Sequence, residues 1–252
     1  GGMPVGGTTV AIPAPADHSN DGVHTITYHS VDAAGNVEGD RTATVRIDTT
    51  KPATTDDAPG GWSNTAVSVH LAPVDGSSGV AQTEYSVDGG SFQTGTTVVV
   101  AAPADHSNDG VHTIAYRSTD AAGNVEDDET TTVRIDTAKP TTTDDAPAAA
   151  SRTAVTVTLS PADAGGSGLA QTQFKVDGGS WQTGTSVSLP APADHSNDGV
   201  HTITYRSTDN AGNVEADRTA TVRIDTTDPM TGDDAPAGWS RTPATVTLTP
   251  AD

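Results

Sequence analysis

The sequence predicts an all-β protein made of tandem antiparallel β-sandwich domains. Three observations predict it: the chain repeats itself at the length of one small domain, its apolar residues alternate with a period of two, and turn-forming residues recur every ten residues or so.

The repeat is read by self-comparison. The string DHSNDGVHTI begins at Asp17, Asp105 and Asp194, at spacings of 88 and 89 residues. Residues 105–137 and 194–226 are identical at 28 of 33 positions. The one extra residue falls where PVDGSSGV (73–80) becomes PADAGGSGL (161–169), a loop in which solvated backbone tolerates insertion. A unit of about 90 residues matches an immunoglobulin-like or fibronectin-type sandwich and exceeds the roughly 20–50 residues of most solenoid repeats. Each unit is therefore expected to own its core. The predicted class is all-β, with tandem immunoglobulin/fibronectin-III-like antiparallel sandwiches. Residues 7–49 form the C-terminal half of a repeat, 50–137 and 138–226 are complete repeats, and 227–252 open another. Partial repeats leave sheet edges unpaired. The pattern favours a stretch cut from a longer array over end repeats completed by neighbouring copies.

Within 138–226 the strands follow in order. In 154–159, Val155, Val157 and Leu159 share one face and Thr156 and Thr158 the other. In 170–176, Ala170, Thr172, Phe174 and Val176 alternate with Gln171, Gln173 and Lys175. Asp177-Gly178-Gly179 then supplies the positive φ of a tight hairpin turn, leading to Trp181 on the next strand. Val187 and Leu189 mark a further strand. His201, Ile203 and Tyr205 share a face in 200–206, and Ala220, Val222 and Ile224 alternate with Thr221 and Arg223. No stretch sustains a 3.6-residue apolar period, so no helix is expected.

Composition narrows the function classes. Asp and Glu number 33 against 12 Lys and Arg, a formal charge of −21. Such a surface repels nucleic acid and anionic membranes and favours cations. The absence of Cys rules out disulfides, thiolate metal sites and cysteine nucleophiles. No apolar run approaches the roughly 20 residues that span a bilayer as a helix, so membrane insertion is not expected.

The segments YSVDGGSFQTG (85–95), FKVDGGSWQTG (174–184), YRSTDAAGNVE (116–126), YRSTDNAGNVE (205–215) and VRIDTTKP (45–52) resemble the bacterial Ig-like repeat family sometimes labelled an outer-membrane β-barrel-type domain. The resemblance runs over nearly the whole chain. It implies secreted or surface-attached proteins in which such repeats accompany catalytic or binding domains. The strand pattern itself suits a soluble sandwich, because Thr, Ser and Gln occupy the faces that a membrane barrel would turn to lipid.

The strongest chemical candidate is a set of oxygen donors repeated once per unit. Asp136, Asp144, Asp145, Asp163, Asp209, Asn213 and Glu215 form one set; Asp48, Asp56, Asp57, Asp75, Asp120, Asn124 and Glu126 form the other. In an Ig-like sandwich the B–C and F–G loops lie at the end nearest the preceding domain. These groups are therefore expected to converge at interdomain junctions, where six to eight oxygens could bind Ca²⁺ at about 2.3–2.6 Å. The competing reading makes DAAGN an Asx turn and leaves the linker aspartates solvated. The loop ADHSNDG resembles the opening of an EF-hand, but Tyr28 stands where that motif needs a bidentate Glu. His201 is read as a rim residue of the core. Trp62, Trp181, Trp239 and Phe92 are read as packing residues, with sugar stacking as the alternative. No nucleophile elbow, HExxH or P-loop is present, so no catalytic residue is expected.

These readings converge on a non-catalytic extracellular or cell-surface segment serving as a spacer, stalk or adhesion module. Its expected partners are neighbouring repeats of the same array and a polysaccharide or host-surface ligand. The alternatives are a carbohydrate-binding accessory module of a secreted hydrolase and a filament subunit that self-assembles by strand complementation.

Overall fold

The computed structural model describes residues 6–251. Every regular element among them is a strand, as the period-two alternation predicts. The chain divides into two compact units, one running to Pro103 and including Gly110–Ile135, the other made of Ala104–Asp109 and the residues from Asp136 onward.

The first unit opens with a hairpin of β1 (Gly22–Tyr28) and β2 (Arg41–Ile47). Its sandwich follows: β3 (Ala53–Asp56), β4 (Trp62–Ser63), β5 (Val67–Val74), β6 (Val80–Val87), β7 (Gln93–Thr94), β8 (Thr97–Val100), β9 (Gly110–Asp120) and β10 (Glu129–Ile135). One sheet has the order β3-β5-β8 and the facing sheet β4-β10-β9-β6-β7. This arrangement, in which β3 pairs with β5 in one sheet while β4, β6, β9 and β10 lie in the facing sheet, is an immunoglobulin-like Greek key. β4 runs parallel to β10, pairing Trp62 with Arg134. The outermost strands β3, β4, β7 and β8 are two to four residues long, whereas the interior strands have seven to eleven.

The second unit repeats this plan with β11 (Thr141–Asp144), β12 (Val155–Ala162), β13 (Leu169–Val176), β14 (Gln182–Thr183), β15 (Ser186–Leu189), β16 (Gly199–Asp209) and β17 (Arg218–Ile224). Its sheets are β11-β12-β15 and β14-β13-β16-β17. A terminal hairpin of β18 (Met230–Asp233) and β19 (Leu248–Ala251) follows.

Burial follows the alternation. Val155, Val157 and Leu159 of β12 are buried while Thr156, Thr158 and Ser160 face water. With Phe174, Val187, Leu189, Ile203, Tyr205, Ala220, Val222 and Ile224 they form the second core; Val67, Val69, Leu71, Val98, Val100, Ile114, Tyr116, Val133 and Ile135 form the first. Each such aliphatic side chain contributes about 1.5–3 kcal/mol on burial. The expected turn is present: Asp177 and Gly178 both adopt positive φ, 50° and 73°, and the Gly179 N–H donates to the Val176 carbonyl. Trp181 directly precedes β14 rather than lying within it.

These cores are thin, and hydroxyls extend them. Thr172 and Thr142 both bond the Ser207 hydroxyl, at 2.9 and 2.7 Å, and Thr142 Oγ1 donates to Glu215. Thr142 and Ser207 are fully buried. The same chain in the first unit runs Thr83–Ser118–Thr54–Glu126. A fully satisfied polar network of this kind ties the two sheets in a set geometry without leaving an unpaired group.

Candidate functional site

One strand in each sandwich aligns most of the polar groups of interest. Along β16 the inward file is His201, Ile203, Tyr205, Ser207 and Asp209; along β9 it is His112, Ile114, Tyr116, Ser118 and Asp120. The file begins with a histidine, crosses the apolar core and ends on a buried carboxylate.

That last carboxylate belongs to a triad. Asp136, Asp163 and Asp209 each offer an oxygen within 4.8 Å of the others, and Asp48, Asp75 and Asp120 do the same in the first unit. Asp163 follows the last residue of β12 and Asp209 is the last residue of β16. In the first unit the triad joins the residue after β2 to those after β5 and at the end of β9. Asp136 and Asp209 are almost wholly buried, at 0% and 2% exposure. Two carboxylates at that separation repel by about 3.5 kcal/mol at an effective dielectric of about 20.

Backbone N–H groups cradle these oxygens. Asp136 accepts from Ala138 N (3.0 Å) and Ser167 N (3.0 Å), and Asp209 from Asn213 N (2.8 Å) and Asn213 Nδ2 (2.7 Å). Asn213 Nδ2 also donates to the Asp136 carbonyl at 2.8 Å. Asp163 accepts through Oδ2 from Gly168 N, but its Oδ1 is buried with no partner. Asp75 repeats this: Oδ2 accepts from Ser77 N and Gly79 N, and Oδ1 is buried and unpaired. In the second unit the Ser167 hydroxyl is also buried and unpaired. Burial opposes the charge on Asp120, but the Asn124 amide and the N–H groups of Asn124, Gly123 and Ala122 outweigh it and hold the carboxyl below the usual range. The approach at Gly165 is close enough to demand glycine: a Cβ there would lie 1.8 Å from Asp136 Oδ1. Beside Asp48 an open cavity of about 620 Å³ is lined by Gly22, Arg46, Ser77, Ser78 and Ala122.

Of the fourteen residues the sequence proposes as donors, these six converge. The other eight play different parts. Asp56 and Asp144 accept from the Tyr116 and Tyr205 hydroxyls, at 2.8 and 2.6 Å. Asp57 accepts from His70 N and Asp145 from Thr158 N. Glu126 and Glu215 terminate the hydroxyl chains, and Asn124 and Asn213 act at the triads as donors rather than ligands.

The structure adds a clasp that the sequence reading did not find. Asp198 accepts from Thr226 N and Oγ1, and His195, at φ 60°, bonds the same hydroxyl at 2.7 Å. The pattern recurs as Asp109 and His106 on Thr137, and as Asp21 and His18 on Thr49. Its signal was the joint recurrence of DHSND with the Thr that ends each IDT. The aromatic residues at the DGG hairpin are capped by cations: Lys175 and Arg206 lie over Trp181 at 4.7 and 4.3 Å, and Arg117 over Phe92 at 4.3 Å.

The class this fold defines is thus a tandem all-β sandwich of fibronectin-III or Ig-like type. Solved structures similar to the chain include the fibronectin(III)-like modules of Clostridium thermocellum CbhA, at 16% identity over 68% of this chain and 94% of that one, with a TM-score of 0.38. The D00–D0 domain of intimin matches at 12% identity over 68% and 97%, TM-score 0.33. The FN1–FN3 domains of chicken CNTN1 match at 13% over 79% and 77%, TM-score 0.31. No protein-family model and no curated protein matches the chain.

Proposed function

We propose that the chain is a non-catalytic segment of a secreted or cell-surface bacterial protein, in which tandem Ig-like repeats act as a spacer or stalk that presents other domains for adhesion. The observation that carries this reading is that the two sandwiches duplicate each other down to individual contacts. The Tyr–Asp bond, the Thr–Ser–Thr–Glu chain, the Asp–Thr clasp and the carboxylate triad occur in both, so the polar residues serve the repeat rather than one specialised copy. The strongly acidic surface keeps such an array soluble. No helix among the described residues is long and apolar enough to cross a membrane. The bacterial Ig-like repeat resemblance supports the same reading.

Carbohydrate stacking is the less favoured reading, because cations lie over the Trp181 and Phe92 rings that would have to stack on sugar. Single-molecule stretching of the whole chain tests the spacer function. Two sawtooth events of equal height, each releasing about 300 Å of contour for a sandwich-sized segment, are expected. A smooth extension at low force would refute a mechanical spacer, and a saturable glycan-array signal would bring the carbohydrate reading forward.

A further inference from the structure

We propose that Asp136, Asp163 and Asp209, and likewise Asp48, Asp75 and Asp120, each bind a hard divalent cation of calcium's size. The repulsion within each triad asks for a positive charge, and among the described residues no Lys or Arg ion pair involves any of the six carboxylates. A second, independent feature points to a ligand. Ser167 is 8% exposed and its Oγ has no partner, although its own N–H donates to Asp136 and the next N–H, that of Gly168, donates to Asp163. Ser167 is thereby held between two triad carboxylates. The Asp163 Oδ1 beside it is also buried and unpaired, and Asp75 Oδ1 is so in the first unit. Buried polar atoms are rarely left without a partner, and an ion would satisfy these. Oxygens within 4.8 Å of one another suit a single ion bonded at about 2.3–2.6 Å, and carboxylate and hydroxyl oxygens are the donors a hard cation takes.

The two sites differ in a way that sets their order of filling. In the second unit the inserted loop residue and Asn210, which donates to the Ser167 and Gly168 carbonyls, wall the triad in. Ala121 stands at the matching place in the first unit, and Ser78, the counterpart of Ser167, is exposed. The Asp136 site is the more preorganised and binds more tightly. In the first unit an ion would fasten the residue after β2 to two loops of the following sandwich, which is a structural use rather than a catalytic one.

Titration calorimetry of the chelator-treated whole chain with CaCl₂, and separately MgCl₂, tests this. The expected result is two calcium ions per chain, one for each triad, with magnesium weaker. Asp163→Asn keeps an oxygen for the Gly168 N–H and should abolish the tighter site; adding Asp75→Asn should abolish both. No saturable binding at millimolar calcium, or unchanged binding in the double variant, would overturn the proposal. Amide NMR of the unaltered chain gives a check that needs no variant. Calcium should shift the signals of Ser78, Gly79, Asn124, Ser167, Gly168 and Asn213 first, and shifts scattered over the acidic surface instead would equally overturn it.

Discussion

His201 Nδ1 lies 2.8 Å from Asp177 Oδ2, so the first inward residue of β16 is bonded to the αL residue of the neighbouring hairpin turn. Its other nitrogen, Nε2, faces the Asn197 carbonyl at 2.9 Å. Two acceptors for two ring nitrogens fit the doubly protonated imidazolium. The Asn197 carbonyl, then Asp177, raise the histidine above its ordinary value, and the histidine, then the Thr202 N–H, lower Asp177.

The pH dependence follows. A raised histidine stabilises the fold fully below its unfolded value of about 6.5 and loses that contribution as pH rises through the folded one. The lowered Asp177 contributes above about 3.9 and is lost as pH falls through its folded value. Urea denaturation should therefore show His201→Gln costing about 1 kcal/mol near pH 6 and progressively less toward pH 9. A cost independent of pH would mean the ring acts only by packing.

Tyr205 anchors the start of the second sandwich by donating to Asp144. Burial, then this bond, pushes the phenol up to about 12. Absorbance at the phenolate band should show it titrating well above a free tyrosine, and stability should fall as pH climbs from 10 toward that value. Tyr205→Phe should cost about 1 kcal/mol in denaturant melts, the modest size reflecting the exposure of Asp144.

Glu215→Ala should be more damaging. It strands the N–H groups of Thr142 and Ser207 and the Thr142 hydroxyl in a site closed to water. A loss of about 3 kcal/mol is expected in equilibrium unfolding. Glu126→Ala should cost less, because Glu126 and Thr54 are less completely buried than Glu215 and Thr142.

Two glycines give a matched comparison. Gly165→Ala would drive a methyl into a fully buried Asp136, at a predicted cost of about 2 kcal/mol. Gly76→Ala, with nothing within 4 Å of the added methyl, should stay within about 0.5 kcal/mol of the parent. Thermal melts of the two variants side by side distinguish the close approach from a general loop effect.

Much of this fold was legible in the chain. Alternation put Val155, Val157 and Leu159 inside, and Asp-Gly at 177–178 announced its turn, because both are local consequences of strand pleat and of backbone sterics. What remained hidden was long-range. Nothing within β4 reveals that Trp62 pairs parallel to Arg134, since two residues carry no period. The carboxylates were found by type and spacing, but type does not tell a ligand from a hydrogen-bond acceptor. Asp144 has a tyrosine and Glu215 a threonine and a serine, and only three-dimensional proximity separates them from Asp163 and Asp209.

The brevity of the outermost strands bears on how such a chain is made. Neighbouring copies that agree at 28 of 33 positions invite strand exchange while they emerge and fold one after another, a recurrent failure of repeat proteins. In the first sandwich the outermost strands β3, β4, β7 and β8 are each at most four residues long, a short template for a foreign strand. The longest strand, β9, is paired on both sides within its own sheet, with β10 and with β6. Similarity between copies is thereby kept from turning into confusion between them, and an array can lengthen by duplication without each new copy endangering its neighbours.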